Sequence, residues 1–384
     1  MRQIAYPTAV GCGCLMGSHP SLLCAAEWSI SPSYSSSIDY DTNRQLLLSS
    51  QGSEASVLTA DLRFKRAMED SDFYVEPRYS LRRYSDNKFG NGDDRYVTAG
   101  YDRSSERDLL NLSASLWDQS TLQSELLETG VFNANTDRRQ EQVGASETWN
   151  ETERRQLVAQ ISYSNVTYHG PASDLLPGYR YTSANIGERA LFSERGSFTV
   201  SAYGSDLSSD FEANSSHEYG LQGEFVWSFS ERTKIDASLG ESSRRLLGSS
   251  GHGTDAALTF THELTRGNLS LSYTRSLVPQ GTGILIERQQ YNAVLARPLG
   301  PYLDGALSVT HVTNNETAVL LHLERRSYDY VSGSLSWRPT ETLNVTGSLV
   351  GLYTQLFGDN SRSVHDWHSI FMVTWTPHGT YRSW

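Results

Sequence analysis

Apolar and polar residues alternate with period two along most of this chain, and that pattern constrains the fold more than any other feature. Successive side chains on a strand point to opposite faces, so such a dyad writes one apolar and one polar face. Leu58-Thr59-Ala60-Asp61-Leu62-Arg63-Phe64 shows it, as do Leu157 to Tyr163, Tyr219 to Phe229, Leu269 to Tyr273, Val331 to Trp337 and Leu343 to Tyr353. No stretch places apolar residues convincingly at helical spacing, and no run of about 18 apolar residues offers a helical membrane span.

A soluble β-sandwich alternates too, but its outward face is typically rich in charge. Here the polar face is mostly Ser, Thr, Asn, Gln and Gly, with a minority of charges. The other face carries Leu, Val, Ala, Gly and aromatic rings. That division suits a barrel with lipid outside and water inside.

The turns strengthen this reading. Bulky residues precede short polar turns at Phe64, Tyr101, Trp149, Phe192, Trp227, Phe260, Leu295 and Trp337, and Trp375 stands near the end. Longer connections rich in Gly, Ser, Asn and Asp fall near 41–54, 85–94, 120–139, 169–178, 207–216, 244–255, 279–287, 313–325 and 358–364. Short turns on one rim and long loops on the other are the asymmetry of outer-membrane barrels, with the aromatics as an interfacial girdle. Eight short turns join sixteen strands. One strand near 28–40 precedes them and one near 365–376 follows, ending about Trp375 with a short tail. The expectation is an all-β, transmembrane, antiparallel up-and-down β-barrel of about 18 strands, both termini periplasmic. A barrel that wide cannot fill its centre with side chains. An aqueous lumen is expected unless a loop folds inward, and 120–139 is the longest candidate.

Residues 1–26 read as a signal peptide, with Arg2, an apolar small-residue stretch and cleavage after Ala26. Residues 27–384 then form a single barrel domain. All three cysteines (Cys12, Cys14, Cys24) precede the cleavage point, so the mature chain carries no thiol chemistry. With 44 Asp+Glu against 32 Lys+Arg and no basic cluster, a nucleic-acid partner is excluded. The 11% aromatic content argues against disorder.

Alternation also assigns the wall of the lumen. If the apolar phases face lipid, the inward residues include Asp61, Arg63 and Lys65, then Glu76, Arg78 and Arg82. Further along come Glu224, Lys234 and Asp236, and finally Asn344, Thr346 and Ser348. This mixed-charge, hydroxyl-rich wall suits a hydrated path for a polar solute rather than a strongly ion-selective pore. No catalytic constellation, cofactor motif or metal-ligand spacing stands out, so an enzyme is not expected. His365 and His368 would point to opposite faces of one strand.

The signal, the dyads and the turns Leu335-Ser-Trp-Arg-Pro-Thr340 and Phe229-Ser-Glu-Arg-Thr233 resemble a family of bacterial outer-membrane barrels associated with exopolysaccharide and exosortase (PEP-CTERM) loci. The resemblance implies an outer-membrane conduit for polysaccharide export, with outer-membrane lipid around it and periplasmic export components as partners. Porin-like barrels share the architecture, so a general or solute-specific porin passing a small polar solute is the alternative. A non-conducting structural or anchoring barrel is another.

Overall fold

A computed structural model describes residues 27–43, 52–86, 91–121, 136–170, 176–210, 215–246, 248–281, 283–315, 325–357 and 362–383. Residues 1–26, expected to be a signal peptide, and residues 122–135 of the long loop lie outside them.

Every described element of the barrel wall is a strand. In chain order they are β1 (Glu27–Asp41), β2 (Ser53–Ala67), β3 (Ser71–Tyr84), β4 (Gly92–Ser104), β5 (Asp108–Ser120) and β6 (Asp137–Thr152). Then follow β7 (Arg155–His169), β8 (Tyr179–Ser193), β9 (Gly196–Ser209), β10 (Ser216–Ser230), β11 (Thr233–Leu246) and β12 (Ser249–Leu264). The last are β13 (Gly267–Pro279), β14 (Leu285–Pro298), β15 (Leu303–Asn315), β16 (Arg325–Trp337), β17 (Leu343–Phe357), β18 (Arg362–Trp375) and the short β19 (Thr380–Ser383).

From β1 to β18 each strand pairs antiparallel with its chain neighbours, and β1 closes the ring onto β18, with Tyr34 opposite Trp375 and Asp41 opposite His368. The fold is thus a closed barrel of eighteen long strands. Closure satisfies every edge, which a wall standing in lipid requires. The expected free tail is corrected in one respect. After the break at Pro377 to Gly379 the backbone resumes pairing, and β19 covers the first four residues of β1. A second correction concerns 244–255. Its Gly and Ser residues read as a loop, yet β11 runs to Leu246 and β12 starts at Ser249.

The outward face is apolar. Leu221 and Leu239 are 65% exposed, and Ile38, Leu58, Ile161, Ile186, Leu335 and Phe371 are also exposed. A belt of this extent is tolerated in lipid and not in water. Near the short-turn rim the belt becomes aromatic. Phe192 and Trp227 stack at 5.7 Å, Phe225 and Trp227 at 6.3 Å, and Tyr34 and Trp375 at 5.8 Å.

Four of the short turns repeat one device: Ser105-Glu-Arg107, Thr152-Glu-Arg154, Ser193-Glu-Arg195 and Ser230-Glu-Arg232. In each, the hydroxyl accepts the backbone N–H of the arginine two residues on, at 3.2–3.3 Å. The arginine carbonyl then accepts a backbone N–H from the next hairpin (Asn150, Leu191, Ser228 and Glu263) at 2.7–2.8 Å. Hydroxyl-capped turns reverse the chain in few residues, and the carbonyl links tie each turn to its neighbour around the rim.

Candidate functional site

The lumen wall follows from the same alternation. On β2, Leu58, Leu62 and Phe64 face outward, so Asp61, Arg63 and Lys65 face inward. On β3, Phe73, Tyr79 and Leu81 face outward, which turns Glu76, Arg78 and Arg82 inward. The structure brings these six together as a ladder of ion pairs. Arg78 pairs with Asp61, Arg63 reaches Glu76 at 3.8 Å, and Lys65 reaches Asp72 at 2.9 Å. Arg82 pairs with Asp39 of β1 at 2.8 Å, nearly out of solvent. Arg63 lies over the Tyr74 ring, 4.7 Å from its centre. This wall is therefore charged along its length, yet its cations are matched by anions.

The other expected residues are placed elsewhere on the ring. Glu224 stands 3.9 Å from Arg189, and Lys234 and Asp236 sit 4.0 Å apart on one face of β11. Asn344 accepts from the Ser336 hydroxyl at 2.6 Å, and Thr346 donates to Ser336 at 3.3 Å. Ser348 is in register with Ser334. These groups make neutral or self-balanced patches rather than one cluster with the β2–β3 ladder. His365 stacks with outward Tyr353 at 5.0 Å, whereas His368 lies three residues on and on the opposite face.

The lumen is crossed by a hairpin that alternation does not foretell. β12 runs back to Ser249 but pairs with β13 only as far as Ala256 opposite Arg275. Residues 276–279 thus stand off β12 while remaining paired to 285–288 of β14. They turn into the barrel. Leu277 and Leu285 pack with Val166, Tyr168, Leu176, Tyr179, Leu207 and Leu246. Of these, Val166, Tyr168, Leu207 and Leu246 project from the inner faces of β7, β9 and β11. Ile284, Leu285 and Ile286 are all buried, and Leu207 is fully so. At the hairpin tip Gly283 has φ +71°, and a Cβ there would strike Ser209 of β9 and come within 3.0 Å of Pro177. Glycine satisfies both the left-handed backbone and the close approach. Burying three consecutive apolar residues and their partners anchors the tip by several kcal/mol, at about 1.5–3 kcal/mol per side chain.

A buried ion cluster fixes the root of the hairpin. The Arg244 side chain is 4% exposed. It reaches Glu218 of β10 at 2.8 Å, Asp255 of β12 at 2.8 Å and Glu287 of β14 at 3.4 Å. Arg275 of β13 reaches Glu287 at 3.1 Å, and Ser242 donates to Glu218 at 2.7 Å. Three carboxylates therefore share two guanidiniums, and the Glu287 contacts tie the hairpin to the wall. A buried pair of this kind contributes little by itself, but losing one partner strands the rest.

Sequence reasoning missed this cluster although a signal was present. Extending the β11 phase from Lys234 and Asp236 in steps of two reaches Ser242 and Arg244. Extending β10 backwards from Glu224 reaches Glu218. Beneath the cluster, toward the short-turn rim, the wall forms a recess of about 360 Å³ with Tyr181, Tyr203, Glu218, Asp255 and Arg275 on its border. In a ring of eighteen strands, β2 and β11 are nine positions apart. The ladder and the hairpin root therefore face each other across the lumen.

No family model matches the chain, and no curated protein matches it by sequence. Among solved structures it is similar to Acinetobacter baumannii OccAB4, at 12% identity and TM-score 0.50, covering 94% of this chain and 100% of that one. It is similar to Acinetobacter baumannii OccAB2 (11%, TM-score 0.50) and to Pseudomonas aeruginosa OccK9 (12%, TM-score 0.50), each covering 91% of this chain and 98% of the other. At such identities the likeness is one of fold, that of a closed antiparallel β-barrel.

Proposed function

We propose that this protein is a porin of the bacterial outer membrane, a channel through which small polar solutes diffuse. One observation carries the reading: a closed, lipid-faced barrel whose hydrated lumen is narrowed by an inward hairpin packed on the inner faces of β7, β9 and β11 and pinned by Arg244, Glu287 and Arg275. Eighteen strands alone would leave a wide pore. A lumen crossed by packed side chains suits single small molecules more than a polymer. Passage of an exopolysaccharide, which the turn motifs suggested, is the weaker reading for that reason. A channel of this kind moves solutes without chemistry, and the lumen-facing groups named above act on the solute by charge and hydrogen bonding. Export through a cleaved 26-residue signal fits this destination.

Swelling of proteoliposomes in a size series of neutral solutes tests the proposal. Glycerol, single amino acids and monosaccharides are expected to enter, and dextran is not. Entry of dextran would favour the polymer conduit. No swelling with any solute would favour the structural barrel.

A further inference from the structure

The recess under the hairpin has a chemistry unlike the rest of the lumen. Its charges are spent on one another: Glu218 and Asp255 on Arg244, and Arg275 on Glu287. Its amides are not. Gln160 of β7 and Asn185 of β8 are directly opposite in the ladder and share the inner face, and Gln222 of β10 lies on the same recess. None of the three has a side-chain hydrogen bond to any described residue. Directly opposed side chains on one face have Cβ atoms about 4.5–5.5 Å apart. Two amides so placed offer two carbonyl acceptors and four N–H donors within the span of neighbouring hydroxyls on a sugar ring.

An aromatic surface adjoins the amides. Tyr203 is in register with Asn185, and its ring lies across Gly220, where a Cβ would stand 2.8 Å from the ring carbon Cζ. The Tyr203 hydroxyl donates to Asp255, so the ring is fixed at its far end. The volume of about 360 Å³ falls in the range of small-molecule sites.

We propose that this recess is a binding subsite for a neutral polyhydroxylated solute of mono- or disaccharide size, with Gln160, Asn185 and Gln222 bonding its hydroxyls and Tyr203 covering its apolar face. This rests on the porin reading and names the solute class for which the channel is selective. Each carboxylate and each guanidinium of the cluster already has a partner within the wall, so none stands free to grip an ionic ligand. The density of unspent amides instead favours a ligand that both donates and accepts at several neighbouring positions. A carboxylate or a cation would compete for groups that already have partners.

The probe is trehalose, with glutamate and arginine as charged comparisons. Calorimetry on the folded barrel in detergent reads the subsite without requiring a current. Trehalose is expected to bind saturably, and glutamate and arginine are not. The double variant Gln160→Ala/Asn185→Ala should weaken trehalose by about tenfold, the loss expected for one or two neutral hydrogen bonds. Heat-modifiable migration on a gel would verify that it still folds. Should it fail to fold, Gln222→Ala alone is expected to weaken trehalose in the same direction. In planar bilayers the same sugar should reduce the ionic current saturably, and the variant should need more sugar for the same effect. Binding in detergent without any current would leave the subsite standing and remove the channel. A current indifferent to trehalose, with no calorimetric binding, would overturn the subsite and leave the channel standing. Tighter binding of arginine or glutamate than of trehalose would overturn the assignment to a neutral solute.

Discussion

The guanidinium of Arg244 occupies the space that a Cβ at position 253 would need, so Gly253 of β12 is the floor on which the buried ion cluster rests. By contrast, Gly251, two residues earlier on the same strand, has nothing within 4 Å of its virtual Cβ. The Gly253→Ala variant is expected to displace Arg244 from Glu218 and Asp255 and to destabilise the barrel by about 1–3 kcal/mol, the usual range for overpacking. Gly251→Ala should be close to neutral. Urea unfolding in lipid or detergent, followed by tryptophan fluorescence, checks the pair. Equal effects at the two glycines would contradict the packing described.

The fold was legible because lipid and water impose opposite demands on alternate residues. Leu58, Leu62 and Phe64 fix the phase of β2, and Asp61, Arg63 and Lys65 then have one place to go. The same logic gave eighteen strands from eight short turns. It failed where both faces of a segment are buried, since burial on both sides erases the alternation. Ile284, Leu285 and Ile286 are consecutive apolar residues at the tip of a hairpin that leaves the wall, and nothing in a period-two pattern marks an inward bend. Length alone marks 120–139 as the expected inward loop, and its residues 122–135 lie outside the described structure. The Gly and Ser of 249–255 misled in the opposite sense. Gly253 there makes room for Arg244, and the run is strand rather than loop.

Lipid-facing positions should reject charge. Arginine at Leu221, Leu335 or Leu349 is expected to cost about 2–4 kcal/mol if the site is near the bilayer midplane. Ser332, Ser334 and Ser336, which share β16 with Leu335 but face the other way, should accept Asp or Lys at little cost. Folding yield into lipid vesicles measures both, and equal tolerance on the two faces would contradict the assignment of inside and outside.

The β2–β3 ladder should set the ionic preference of the lumen. Replacing Arg63, Arg78 and Arg82 together by Glu turns a wall of matched pairs into one of unmatched carboxylates facing Asp61, Glu76 and Asp39. Fields of neighbouring charges add within a Debye length of about 8–10 Å. Reversal potentials in a potassium chloride gradient are expected to shift toward cation preference, most at low salt. An unchanged reversal potential would place the ladder away from the ion path.

The mature protein should begin at or near Glu27 and fractionate with outer membranes. Mass spectrometry of the purified barrel reads its first residue. An intact Met1 on the membrane-inserted protein would contradict cleavage after Ala26.

Single-channel recording tests the central claim most directly, comparing the wild type with a variant in which residues 277–285 are replaced by a short glycine-containing turn from Ser276 to Ile286. The wild type is predicted to open in small, well-defined steps, and the shortened hairpin to raise the step several-fold while the barrel remains folded. Absence of steps from both folded proteins, or steps that the shortening leaves unchanged, would contradict a channel narrowed by this hairpin.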